Sequence, residues 1–485
     1  MRYCSTRNAA LERTASQAIL QGIAEDGGLF VPESFPRVEL SALAGLSYSE
    51  LAVRILGLYL TDYSTEFLRR ATAEVYGPGR FENRPARTVR LDDGLYSLEL
   101  WHGPTCAFKD YALQLMPRLL VEAKRINGDT SRTVILVATS GDTGKAALEG
   151  YRDLPGIEIA VFYPDHGTSE IQRLQMATQE GSNVHVYAVR GNFDDAQTGV
   201  KRVFTNAAFA AECAAQGKHL TSANSINWGR LVPQIVYYFA SYLQLAAAGE
   251  LHLGDAVDFC VPTGNFGDIL AGYYAKQMGL PVGRLICASN RNHVLSDFGA
   301  TGRYDANRPF YKTTSPSMDI LVSSNLERLL YHESGDAAAV ASRMAALAEH
   351  KDYSVTPALL ARIGEDFSFG WADEEECAAA ISLSYIMSNY LADPHTAAAL
   401  KVADDLRRTE APCVVLSTAS PYKFAGAVLA ALGQDAGSDD FANIAALESY
   451  TNAPAPASLK NLAGKQPRFD RVIAAEEIAA VACAL

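Results

Sequence analysis

The stretch Arg132-Thr133-Val134-Ile135-Leu136-Val137-Ala138-Thr139-Ser140-Gly141-Asp142-Thr143-Gly144 decides the fold. Residues 132–138 form an apolar run without alternation, which reads as a strand buried on both faces. A turn of small polar residues and glycine follows, and a helical pattern opens at Lys145. The same sequence of events recurs outward along the chain. Buried-strand runs are predicted at residues 157–163, 183–189, 256–261, 284–288 and 413–416. Helical stretches separate them, for example at 194–216 and 231–248, and an Ala-rich surface helix is read at 336–350. Strands alternating with helices imply an α/β chain with mostly parallel sheets, whose ligands sit beyond the carboxyl ends of strands.

Composition sets the outer bounds. The chain has 485 residues, 48% hydrophobic and 20% charged, which is globular composition. The net charge of −13 argues against a general binder of nucleic acid or of anionic membranes. No apolar run approaches a membrane span of about 18 residues, and the first 17 residues lack the apolar core of a signal peptide. The eight cysteines form no C-x-x-C pair and read as reduced thiols of a cytoplasmic protein. The nine histidines are scattered, so no metal site is expected. Residues 1–95 form a leader segment with its own turns and two amphipathic helices, at 51–60 and 65–75.

Five segments could carry chemistry. His102-Gly103-Pro104-Thr105-Cys106-Ala107-Phe108-Lys109-Asp110 leads a polar turn into a helix with lysine in its first turn. The positive helix end and partial burial both favour a neutral amine, as Schiff-base chemistry requires. The turn from Ser140 to Gly144 offers backbone N–H groups and two hydroxyls to a carboxylate or phosphate. It is not an ATP loop, because Thr139 and Ala146 stand where glycine and Ser/Thr are required. Gly264-Asn265-Phe266-Gly267-Asp268 again joins strand to helix and suits a cofactor with one phosphate rather than a dinucleotide. Residues 222–230 place small polar side chains before Arg230, which could fork onto a phosphate or simply pair within the fold. A hydroxyl at Ser417 or Thr418 could cap the structure or donate to a pyridine nitrogen.

Together these segments resemble the threonine synthase family, pyridoxal-phosphate enzymes of the tryptophan synthase β-like fold. The resemblance covers almost the whole chain and lies closest to the longer bacterial and fungal form. It rests on Tyr3-Cys4-Ser5-Thr6-Arg7, on Gly27 to Pro32, and on H-G-P-T-x-A-F-K-D at 102–110. It continues through A-T-S-G-D-T-G at 138–144, S-A-N-S-I-N-x-x-R at 222–230, P-T-G-N-F-G-D at 262–268, and the stretches 315–319 and 323–328. Every motif falls in family order.

The resemblance implies a two-lobed α/β body, fold type II, behind an N-terminal α+β segment at 1–95. The large cofactor-binding lobe would comprise 96–132 and 235–430, the small lobe 133–234, and 431–485 would pack on the body. Lys109 would hold pyridoxal 5′-phosphate as a Schiff base and shuttle protons. Gly264, Asn265, Phe266 and Gly267 would cradle its phosphate, with Asp268 near it, Thr418 at the ring nitrogen and Asp142 beside the ring oxygen. Ser140, Gly141 and Thr143 would take the substrate carboxylate, and Ser225, Asn227 and Arg230 its phosphate. The implied reaction converts O-phospho-L-homoserine and water to L-threonine and phosphate, in a monomer. The alternatives are a phospholyase that releases 2-oxobutyrate and ammonia, and a catalytically silent cofactor-binding protein. Ser420 and Tyr422 depart from the family's pattern of histidine and a small residue at these places.

Overall fold

In the computed structural model, which describes residues 1–165, 168–191, 193–407 and 411–485, the alternation resolves into two parallel sheets. A small antiparallel sheet precedes them. It consists of β1 (Tyr3–Ser5), β2 (Glu12–Arg13) and β3 (Phe30–Pro32), with β1 in the centre. Next come β4 (Arg87–Asp92) and β5 (Leu95–Glu99), an antiparallel hairpin. The strands β6 (Arg132–Ala138), β7 (Ile157–Pro164), β8 (Val184–Val189) and β9 (Lys218–Thr221) follow. Then come β10 (Val257–Pro262), β11 (Val282–Ser289) and a short antiparallel pair, β12 (Arg303–Asp305) with β13 (Asp352–Ser354). The last are β14 (Phe367–Trp371), β15 (Cys413–Ser417) and β16 (Val472–Ile473).

Six of these strands make one sheet in the order β14-β11-β10-β15-β5-β4, parallel except for the β4–β5 hairpin. Five make a second sheet, β16-β8-β7-β6-β9, parallel throughout. The central strands are the apolar runs of the sequence. In β6, Val134 to Val137 are fully buried, and so are Phe259 to Val261 of β10. Helices cover the faces because a parallel sheet must bury both sides. The stretch 431–485 does more than pack on the body, since its β16 adds an edge strand to the second sheet beside β8.

Two expected helices are divided. The stretch 194–216 is two helices, Phe193–Thr205 and Ala207–Ala215. Asn206 breaks it by taking extended backbone angles and accepting from the Phe209 N–H, as an N-cap does. The stretch 231–248 begins as Trp228–Leu231, tightens to a 3-10 turn at Val232–Gln234, and runs on as Ile235–Ala247. Pro233 lies in that turn and lacks the N–H that a continuous helix would use. The helix Ala337–His350 buries only Val340 and lies on the surface as its composition implies.

The leader segment is tied to the body by buried charges. Arg328 is wholly buried and donates to the Phe30 carbonyl at 3.0 Å and to the Ile226 carbonyl at 2.6 Å. Its neighbour Glu327 accepts from the Thr6 hydroxyl at 2.6 Å and forks onto Arg7 at 2.9 Å. The motif 323–328 therefore clamps β1 and β3 against the loop before Arg230.

Candidate active site

Four loops at the carboxyl ends of parallel strands converge. After β5 the chain runs through the turn at 100–108 into the short helix Lys109–Leu113. Backbone bonds fasten this turn to the end of β15. Phe108 N–H donates to the Thr418 carbonyl at 2.8 Å, and Ser420 N–H donates to the Cys106 carbonyl at 3.1 Å. Lys109 and Thr418 are thus brought together, both buried. The Lys109 ammonium nitrogen lies 4.8 Å from the centre of the Phe108 ring and donates to Ser317 Oγ at 3.2 Å.

The loop after β6 delivers Asp142, the first residue of the helix Asp142–Tyr151. Gly141 precedes it at φ 151°, and a Cβ there would come within 2.6 Å of the Gln172 side chain. Glycine is therefore required for Gln172 Nε2 to reach Asp142 Oδ1 at 2.9 Å. Asp142 Oδ2 stands 3.7 Å from Lys109 Nζ and accepts from Ser317 Oγ at 3.4 Å. A second lysine, Lys423, lies 2.5 Å from Asp142 Oδ1 with its side chain fully buried. Thr139 Oγ1 accepts from the Gly141 and Gly144 N–H groups, at 3.0 Å each, and fixes the loop.

The loop after β10 is fixed from the other side. Ser323 Oγ donates to the Gly264 carbonyl at 2.7 Å, and Asn325 donates twice to the Asn265 carbonyl, at 3.0 and 3.1 Å. A Cβ on Gly264 would fall 2.8 Å from the Ser317 carbonyl. Phe266 adopts a left-handed φ of 62° with its ring buried, which turns the chain into the helix Gly267–Gln277. Asp268, in its first turn, receives the hydroxyls of Tyr237 and Tyr238 on Oδ1, while Oδ2 is buried with no partner among the described residues. Arg230, also buried, donates to the Ala223 carbonyl at 2.8 Å and to Thr143 Oγ1 at 3.3 Å.

Burial and charge act together on this cluster. Burial lowers Lys109 to about 8, with the Arg230 and Lys423 cations adding to it and Asp142 opposing. Burial pushes the Asp142 carboxyl up, but Lys423 and Lys109 overcome it and hold the group well below the usual carboxylate range. Asp268 is raised to about 7 by burial, against its two tyrosine donors. Arg230 is lowered by burial to about 10 and remains a cation at neutral pH. The arrangement is a buried amine that sheds its proton readily, beside one balanced carboxylate and between two loops suited to anions.

Of the residues singled out in sequence, Asn227 stands apart. Its carboxamide caps the Gly229 N–H at 2.8 Å and donates to the Ile19 carbonyl at 2.9 Å. Ser225 gives its backbone carbonyl to Arg328 at 3.4 Å, and its side chain stands beside Gly267. The departure at Tyr422 is buried against the C-terminal stretch, its hydroxyl meeting Thr451 Oγ1 at 3.3 Å and the Ala453 carbonyl. Ser420 Oγ is buried with no partner among the described residues. Sequence reasoning missed Lys423 and His395. His395 accepts from the Ser317 N–H at 3.1 Å and is held by Asp393 at 2.7 Å. Neither lies in a glycine turn or a quoted motif, so the sequence carried no signal for them.

Three family models match successive parts of the chain. "Threonine synthase N terminus" matches residues 2–76, "Pyridoxal-phosphate dependent enzyme" residues 83–362, and "Threonine synthase, C-terminal" residues 396–482. The threonine synthase of Pseudomonas aeruginosa is 43% identical, over 90% of this chain and 91% of its own length. Threonine synthase-like 1 of Homo sapiens is 41% identical over 86% of this chain, which spans only 58% of that longer protein. The crystal structure of the pyridoxal-phosphate-bound threonine synthase of Brucella melitensis superposes with a TM-score of 0.88 at 39% identity, covering 100% of this chain and 99% of that one. The three family models, and the Pseudomonas aeruginosa and Brucella melitensis threonine synthases aligned over nearly their full length, place this chain in the threonine synthase family of pyridoxal-phosphate-dependent enzymes.

Proposed function

We propose that this protein is a threonine synthase that converts O-phospho-L-homoserine and water to L-threonine and phosphate. The observation that carries the reading is Lys109, a buried amine lowered to about 8, held by Ser317 and Asp142 between the loops at 140–144 and 264–268.

The residues present fit pyridoxal phosphate. Gly264 approaches the Ser317 carbonyl so closely that a side chain there would fill the cradle. The loop opens onto the first turn of an 11-residue helix, whose N–H groups and dipole attract a phosphate. The unpartnered Oδ2 of Asp268 lies buried at that turn and suits donation to a phosphate oxygen when protonated. When bound, the cofactor supplies an electron sink for the charge left at the substrate Cα.

The chain's own groups then divide the work. Lys109 holds the cofactor and, once released, takes the Cα proton and carries protons at Cβ. Thr418 would offer its hydroxyl to the ring nitrogen, and Asp142 would serve the ring oxygen. Ser140, Gly141 and Thr143 orient the substrate carboxylate. Arg230 and Ser225 bind the substrate phosphate and stabilise it as it departs. Asn227 serves that loop by capping it, since its carboxamide is already engaged. In this reading the small lobe, 133–234, brings the carboxylate loop to the large lobe at 96–132 and 235–430.

The test is product analysis with O-phospho-L-homoserine. Equal release of phosphate and threonine is expected, falling by roughly 10²–10⁴-fold or more in Lys109→Ala. Release of 2-oxobutyrate and ammonia instead would make the protein a phospholyase.

A further inference from the structure

Lys423 is more deeply buried than the other two cations of the site, Lys109 and Arg230. It occupies the 3-10 turn Pro421–Phe424 just beyond β15, with none of its side chain exposed. Its ammonium donates to Asp142 Oδ1 at 2.5 Å and to the Thr105 carbonyl at 3.1 Å. Asp142 follows β6, so this pair joins the carboxyl ends of the two sheets. A buried carboxylate takes whatever cation is nearest, because leaving it unpaired costs several kcal/mol. Two lysines compete for Asp142, and Lys423 holds the shorter contact, 2.5 Å against 3.7 Å for Lys109.

We propose that Lys423 is a positioning residue that keeps Asp142 as its own counter-ion and thereby leaves the Lys109 amine free to take the cofactor. The proposal rests on the reading of Lys109 given above. One carboxylate matched to one nearer lysine leaves Lys109 as surplus charge in a buried site. Surplus charge is relieved by losing a proton, and only the neutral amine is a nucleophile.

The other groups around Lys109 fit this balance. Arg230 contributes a further cation from the helix Trp228–Leu231. Asp110, next on its own helix, turns its carboxylate onto the Thr105 N–H and hydroxyl at 2.8 Å and is raised by burial to about 6. Asp268, on the helix Gly267–Gln277, is raised to about 7. Ser317, which also contacts the amine, carries no charge, and His395 meets only its backbone N–H. Asp142, 3.7 Å from the amine, is the carboxylate paired with Lys109, and Lys423 is the residue that occupies it more closely. The low value of about 8 for Lys109 is consistent with this arrangement.

The experiment follows pyridoxal phosphate uptake by the full-length chain after cofactor removal, as visible absorbance against pH. Wild type is expected to show a midpoint near 8. In Lys423→Met the midpoint should rise by about one pH unit or more, slowing uptake at pH 7 about tenfold, since each unit is a tenfold change in neutral amine. Lys423→Arg should keep the wild-type midpoint, and Asp142→Asn combined with Lys423→Met should restore it. An unmoved midpoint in a folded Lys423→Met chain would overturn the proposal. So would failure of the double variant to restore it, should the single variant not fold. The readout does not depend on which product forms, so it stands apart from the assay of threonine release. A wild-type chain that takes up no cofactor would remove the functional reading and this proposal together.

Discussion

His102 lies between two carboxylates, with Nδ1 2.8 Å from Glu82 and Nε2 2.8 Å from Glu99. Burial alone would lower it, but the bonds to Glu82 and Glu99 and their charges prevail and raise it to about 8. Both ring nitrogens can donate only when the imidazole is protonated. Its contribution is therefore complete below the ordinary histidine value of about 6.5 and is lost as pH rises through about 8. The melting temperature should fall between pH 7 and 9, and fall less in His102→Gln. Equal slopes in the two proteins would refute this assignment. Glu82 sits at φ 51°, with Phe81 at 44° and Asn83 at 59°, so the pair also holds a backbone turn that side chains seldom adopt. At this scale the sequence was informative where chemistry demands a residue type in a turn, as at Lys109, Gly141 and Gly264. It was silent on Lys423, because a lysine after Pro421 and Tyr422 looks like any surface lysine until Thr105 and Asp142, from distant segments, meet its ammonium.

Among the elements, the loop from β10 into the helix Gly267–Gln277 is the most constrained. Ser323 and Asn325 hold its carbonyls, and Phe266 spends left-handed backbone strain to turn it. Gly264→Ala would drive a methyl to 2.8 Å from the Ser317 carbonyl and displace the residue that contacts Lys109. The dissociation constant for pyridoxal phosphate should rise about tenfold or more, the equivalent of one strained contact near 1.4 kcal/mol. Equilibrium dialysis measures it, and an unchanged constant would show that the loop yields. The strands legible in sequence are those buried on both faces, β6, β7, β8, β10, β11 and β15. Those that escaped are mostly edges. β4 and β9 mix charged and polar residues because one side of each meets solvent or a helix. β14, also an edge, is interrupted by Ser368 and Gly370. β5 is internal yet unreadable, since it buries Ser97 and Glu99, whose partners Tyr390 and His102 lie on other segments.

Across the whole molecule, Arg328 links pieces that the sequence holds far apart. It reaches the Phe30 carbonyl in β3, the Ser225 and Ile226 carbonyls in the loop before Arg230, and the Asn325 side chain. The N-terminal sheet thereby braces the candidate substrate-phosphate loop from behind. Arg328→Met should cost roughly 1–3 kcal/mol for each carbonyl left without a donor, read as a lower urea midpoint. It should also raise KM for the phosphorylated substrate more than it lowers kcat. A variant as stable as wild type would mean that water satisfies those carbonyls. Such links were illegible because periodicity reports only which face of an element is buried, never what covers it. The pairing of β16 with β8 bears on biosynthesis as well. The ribosome makes β8 long before it makes Val472 and Ile473, so the nascent small sheet keeps one margin open until those residues are made. An open margin is a template for a neighbouring chain on the same messenger. The closing strand, made long after β8, ends that exposure only when it docks.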